Sequence, residues 1–107
     1  SYYTPTKIVR NLISKLDFQS TEKILDPCCG TGNFLLQLPN HISFDSVFGN
    51  DIDTVSVKIT RLNMALKYEV PVSSICEHIT EFNYLTDYTN TGFCYIIGNP
   101  PWGSSFR

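Results

Sequence analysis

The stretch KILDPCCGTGNFLLQL, Lys23 to Leu38, limits the possible folds more than any other part of the chain. A short apolar strand, Lys23 to Asp26, runs straight into a turn holding Gly30 and Gly32. An apolar helix start, Phe34 to Leu38, follows, and Pro39-Asn40 ends it. A strand that is apolar throughout is buried on both faces. Helices on both sides of a parallel sheet provide that cover.

The alternation continues along the chain. Ser46 to Asp51 reads as a second strand, Ser73 to Ile79 as a third, and Phe93 to Gly98 as a fourth that is apolar at nearly every residue. Thr54 to Tyr68 reads as the longest helix, with Val55, Ile59, Leu62 and Leu66 on one face. Thr4 and Pro5 read as the start of a leading helix whose buried stripe is Ile8, Val9, Leu12, Ile13 and Leu16. Thr86 to Gly92 is a loop.

At 107 residues the chain makes one small domain, and its 42% hydrophobic content supports a core. The formal net charge is −2, and the eight basic residues are scattered, which argues against strong nucleic-acid binding by this chain alone. No apolar run spans a membrane and no signal peptide is visible, so a cytoplasmic protein is expected. The chain opens on Ser1, as an excised fragment or a tag junction would. Its four cysteines, Cys28, Cys29, Cys76 and Cys94, form no CxxC pair, and His41 and His78 have no ligand spacing. Buried reduced thiols and no metal site are expected.

The glycine turn carries the first chemistry. Glycines at 30 and 32 allow a tight turn and let a ligand approach bare backbone. Asp51 ends the second strand 19 residues after Gly32 (51 − 32), about the spacing at which a carboxylate grips ribose hydroxyls. A dinucleotide site needs a third glycine where this chain has Leu35, and no phosphate-binding lysine follows the turn. Asp26 instead opens the turn with a negative charge, which would repel phosphate and attract an ammonium. An adenosine bearing an amino acid, S-adenosylmethionine, fits these residues better than NAD or ATP.

These residues also carry a family resemblance. DPCCGTGNF, Asp26 to Phe34, resembles the D-P-x-C-G-x-G-x-F signature of adenine-specific DNA methyltransferases. YYTP, Tyr2 to Pro5, resembles the motif that precedes it in the amino-methylating enzymes with this motif order. GNDID, Gly49 to Asp53, resembles their second motif, and NPPW, Asn99 to Trp102, their catalytic [DNS]-P-P-[YFW] motif. The four motifs stand in the family's order and cover nearly the whole chain.

The resemblance implies an α/β, Rossmann-like methyltransferase fold, a partial parallel sheet in the order 3-2-1-4. It implies that Asp51 holds the ribose and that Ile52 packs on the cofactor adenine. Thr4 and Pro5, with Asp26, Cys28 and Gly30, would line the methionine end, and Tyr3, Pro27, Gly32, Asn33 and Phe34 would also contact the cofactor. The family also has an acidic residue that takes the adenine amino group. Spacing to NPPW puts that position at Asn83 (99 − 83 = 16), with Glu81 as its competitor. Cys94 stands where the family has Asp, and no catalytic role is assigned to it.

The NPPW stretch suits methylation of an exocyclic amine. Such an amine is a poor nucleophile because its lone pair is delocalised into the ring. Two acceptors side by side, the Asn99 side-chain oxygen and the Pro100 carbonyl, would draw both N–H bonds and localise that lone pair. Pro100 and Pro101 stiffen the turn, and Trp102 offers a flat surface for a base flipped out of its stack. The methyl would pass directly from sulfur to nitrogen with no covalent enzyme intermediate.

Two other readings stay open. One is an N-P-P methyltransferase for protein glutamine or RNA guanine, though these usually carry NPPY or NPPF and a D-x-G-x-G-x-G turn. The other is a cofactor-binding or interaction fragment without catalysis. A full enzyme of this kind needs about three more strands and a target-recognition region, and none follows Arg107. The expectation is therefore one domain, 1–107, cut short and inactive alone, with DNA contacts made mainly elsewhere. Its fourth strand would be a bare edge open to self-association.

Overall fold

The computed structural model describes residues 22–89, 92, 93 and 95–97, together with 7, 10, 11, 13 and 15. Lys7, Arg10, Asn11 and Ile13 are helical, as expected for the leading segment, and Ile13 is buried in the core.

Strand β1, Ile24–Asp26, is buried at all three residues. Its expected partner is β2, Val47–Asn50. Ser46 belongs instead to a short 3-10 turn, Phe44–Ser46, and Asp51 lies just past the strand. β3 is Ile79–Thr80 and β4 is Tyr95–Ile96. All pairings are parallel and the order is β3-β2-β1-β4, the order the resemblance implied. Ile24 lies opposite Val47 on one side and Tyr95 on the other. The strand order reverses at β1, with β2 and β3 on one side and β4 on the other. In sheets of this kind ligands bind in the crevice at the carboxyl ends of the strands, where the order reverses.

Helix α1, Asn33–Leu36, is shorter than the predicted Phe34–Leu38. The Lys67 ammonium donates to the carbonyls of Leu36 and Leu38 at 2.9 and 2.8 Å, satisfying acceptors that the helix end leaves open. Gly49 lets α1 sit close to the sheet, since a Cβ there would lie 2.7 Å from Leu35 Cδ1.

Helix α2, Thr54–Tyr68, has the predicted bounds. Asp53 caps it, accepting from the Ser56 amide at 2.8 Å. The stripe Val55, Ile59, Leu62 and Leu66 does share a face, but that face is exposed, with Leu66 at 72%. Val57, Thr60 and Met64 are the buried residues. Beside them, Thr60, Asn63 and Lys67 reach inward to the carbonyls of Gly30, Thr31, Leu36 and Leu38. The inner face is thus partly polar because it supplies donors to the glycine turn and to α1.

The third predicted strand, Ser73 to Ile79, is wrong over most of its length. Val72–His78 is a helix, α3, and only Ile79–Thr80 is strand. Pro71 precedes it in an extended conformation and its carbonyl accepts from Ser74 and Ile75. Only Ile75 and Ile79 of this run are buried, four residues apart, which is a helical repeat. The His78 ring stacks on Phe44 and on Phe48, each at 4.4 Å between centroids, and its Nδ1 lies 2.8 Å from the Val47 carbonyl. Of the fourth predicted strand, Tyr95 and Ile96 pair with β1, while Cys94 and Gly98 lie outside the described residues. Cys28, Cys29 and Cys76 are free thiols, but only Cys29 of the three is buried; Cys28 is half-buried and Cys76 is exposed on α3. Among the described residues no helix is long and apolar enough to cross a membrane.

Candidate cofactor site

The glycine turn leaves β1 at the crevice. Gly30 and Gly32 take φ of 54° and 91°, left-handed values that a side chain would strain. An added Cβ at Gly32 would press on Thr60 at 3.2 Å, whereas at Gly30 none of the described residues lies within 4 Å. The turn is held from several sides. The Cys29 amide donates to the Asn50 carbonyl at 2.8 Å, and the Thr60 hydroxyl donates to the Gly30 carbonyl at 2.7 Å.

Asp51 closes the turn against β2. One carboxylate oxygen accepts from the Gly30 amide and the other from the Asp53 amide, both at 2.9 Å. Each oxygen keeps a further lone pair, so the group can still accept from a pair of hydroxyls. Ile52, next in sequence, is exposed.

Asp26 is almost fully buried at the end of β1. One of its oxygens accepts from the Cys28 amide at 3.3 Å. Burial pushes its pKa up to about 8, against the pull of that amide, and the negative Asp51 adds to the rise. A buried carboxyl so placed gains most from a neighbouring cation. Burial also pushes the Cys28 thiol up to about 11 and the Cys29 thiol to about 12, so both stay uncharged at neutral pH.

Sequence-predicted residues thus meet at the ends of β1 and β2. Asp26, Cys28, Gly30 and Asp51 surround one turn. Pro27 is buried and its carbonyl accepts from Asn50 at 3.2 Å. Asn33 opens α1, and Phe34 packs against the core. Asn83 turns its side-chain oxygen onto the Leu85 amide at 3.1 Å, closing its own loop. Glu81 accepts from the Thr54 hydroxyl at 2.8 Å, on the side of the Asp51–Asp53 bend. Tyr3, Thr4, Pro5, Asn99, Pro100, Pro101 and Trp102 lie outside the described residues. Sequence reasoning missed Thr60 and Asn50, which hold the turn. Their signal was a polar side chain on the inner face of α2 and an amide at the end of an apolar strand.

A family model described as N-6 DNA Methylase matches residues 1–107. The chain belongs to this family. Among its relatives, the type II methyltransferase M.VspI of Vibrio sp. (strain 343) is 32% identical over 104 residues, covering 95% of this chain and 25% of the relative. The methylase subunit of the type I restriction enzyme MjaVII of Methanocaldococcus jannaschii is 25% identical over 111 residues, covering 94% of this chain and 18% of the relative. The chain therefore spans a quarter or less of the length of these two.

Two solved structures share the fold. One, described as a modification subunit of a type I restriction enzyme from Vibrio vulnificus YJ016, gives a TM-score of 0.60 at 25% identity, over 79% of this chain and 19% of that one. The other, a methyltransferase complexed with SAH, gives 0.55 at 15% identity, over 80% and 32%. The N-6 DNA methylase resemblance and the Rossmann-like methyltransferase fold read from the sequence are both borne out.

Proposed function

We propose that this chain is the cofactor-binding and catalytic-motif part of an enzyme that methylates the exocyclic amine of adenine in DNA, using S-adenosylmethionine. The observation that carries the reading is the pair of carboxylates on adjacent strand ends. Asp26 lies buried below the glycine turn, and Asp51 is braced by the Gly30 amide. The space above Gly30 among the described residues and the buried Asp26, which accepts from the Cys28 amide at 3.3 Å, suit a ligand with an ammonium at one end and ribose hydroxyls at the other.

In this reading Asp26 faces the ammonium and Asp51 the ribose, and Ile52 covers one adenine face. Glu81 is the better acceptor for the adenine amino group, since its carboxylate is charged and has two acceptor oxygens, whereas Asn83 has one, already shared with the Leu85 amide. When bound, the cofactor supplies an electrophilic methyl on sulfonium sulfur. Asn99 follows Ile97, the last described residue of the β4 region, by two positions. Its side-chain oxygen and the Pro100 carbonyl accept from the target amine, while Trp102 stacks on the base. With a net charge of −2, the chain leaves most DNA phosphate contacts to other parts of its parent protein. Among the described residues β4 is the outer strand of the sheet, and such an edge favours self-association.

Calorimetric titration with S-adenosylmethionine is expected to show saturable binding that Asp51→Ala weakens at least about tenfold, the worth of one to two hydrogen bonds. Absence of any heat at millimolar ligand would sink the cofactor reading. For the substrate, transfer of labelled methyl by the parent protein is expected to adenine-containing DNA and to be lost in Asn99→Ala. Labelling of RNA guanine or of a glutamine peptide instead would move the assignment to those acceptors.

A further inference from the structure

Asn50 is the last residue of β2, fully buried, and every hydrogen-bonding position of its side chain is filled. Its Nδ2 donates to the Pro27 carbonyl at 3.2 Å and to the Phe82 carbonyl at 3.0 Å. Its Oδ1 accepts from the Phe82 amide at 3.0 Å and from the Thr80 hydroxyl at 2.9 Å. The side chain therefore pairs with both backbone groups of Phe82, as a neighbouring strand would. Pro27 and Phe82 each lie just beyond the end of a strand, β1 and β3, where the ladder no longer holds the backbone. Asn50 ties the two segments together across the end of the sheet.

We propose that Asn50 is a positioning residue that fixes the separation between the glycine turn and the loop after β3, so that the site reads the whole cofactor rather than either half. The inference rests on the cofactor reading above. Pro27 belongs to the wall that faces the amino-acid end, and Phe82 lies between Glu81 and Asn83 on the wall that faces the adenine. A ligand contacting one wall gains little from the tie. A ligand spanning both must order both walls when the tie is cut, and loses more. A residue that only stabilises the fold behaves otherwise. Lowering the folded fraction weakens every ligand by the same factor.

The experiment titrates the parent chain, Asn50→Asp and Thr80→Val with S-adenosylhomocysteine and with 5′-methylthioadenosine, which lacks the amino-acid tail. Asn50→Asp keeps the shape but removes both donors. The full ligand is expected to weaken about tenfold or more and the nucleoside half less than about threefold, as two lost hydrogen bonds shared between two walls imply. Thr80→Val removes the hydroxyl that steadies Oδ1 and lies 3.4 Å from the Gly49 carbonyl, and the same ordering at smaller size is expected. It carries the test if Asn50→Asp does not fold. Equal losses for the two ligands, or none, would overturn the inference. Failure of the parent chain to bind S-adenosylhomocysteine would instead overturn the cofactor reading, and this inference with it.

Discussion

Asp26 shows what a buried carboxyl costs a fold. The carboxyl is held at the end of β1 with burial raising its pKa to about 8, against 3.8 for an ordinary aspartate. Below about pH 4 the folded and unfolded chains both carry the proton, so the group has no effect on stability. Between about pH 4 and 8 the unfolded chain releases it and the folded chain keeps it. Stability therefore falls as pH rises through that window and stays lowered above it. Asp26→Asn removes this penalty. Its melting midpoint is expected to exceed the parent's by about 5 °C or more at pH 8, with the gap closing near pH 4 in a fluorimetric melt series. The same variant should lose cofactor binding. An ammonium brought beside Asp26 lowers its pKa, so binding at pH 7 should release a proton. Titration heats in buffers of different ionisation enthalpy would then differ at pH 7. Identical heats at pH 7 would place the ammonium elsewhere.

At the element scale, β1 and its glycine turn were legible because their signals are local: an apolar run, two glycines and an acid at a fixed distance. The strand order followed from the resemblance those residues carry. Ser73 to Ile79 was not legible, because its two β-branched residues, Ile75 and Ile79, suit a strand as well as a helix face, and only burial shows that these two, four apart, meet the core. Helix α2 was read only in part. Periodicity tells which residues share a face but not which face is covered. Here the glycine turn needs donors from Thr60 and Asn63, so the uniformly apolar stripe is the one left outside. The tie through Asn50 was invisible, since its partners lie 23 and 32 positions away in sequence. Denaturant unfolding checks the inverted face. Met64→Ala is expected to cost about 2–5 kcal/mol as a core truncation, and Leu62→Ala no more than about 0.5 kcal/mol as a surface one. Gly49→Ala, which drives a methyl into Leu35, should cost about 1–3 kcal/mol.

For the whole molecule, the question is how the sheet ends. Among the described residues β4 is an outer strand, paired to β1 on one side, with Ile96 54% exposed. Among the described residues its ladder is two residues long, and a short edge offers few hydrogen bonds to a second chain. Association through it should therefore be weak and concentration-dependent, with apolar burial at Ile96 contributing as much as the backbone. The competing surface is the exposed α2 stripe, which would pack as helix against helix and is indifferent to the edge. Sedimentation at rising concentration separates them. The parent chain is expected to gain mean mass with concentration, and Ile96→Lys to remove most of that gain by placing a charge on the edge. Leu66→Lys should leave it largely intact. A reversed order of the two variants would assign the contact to α2, and a monomer at every concentration would show that neither surface recruits a partner.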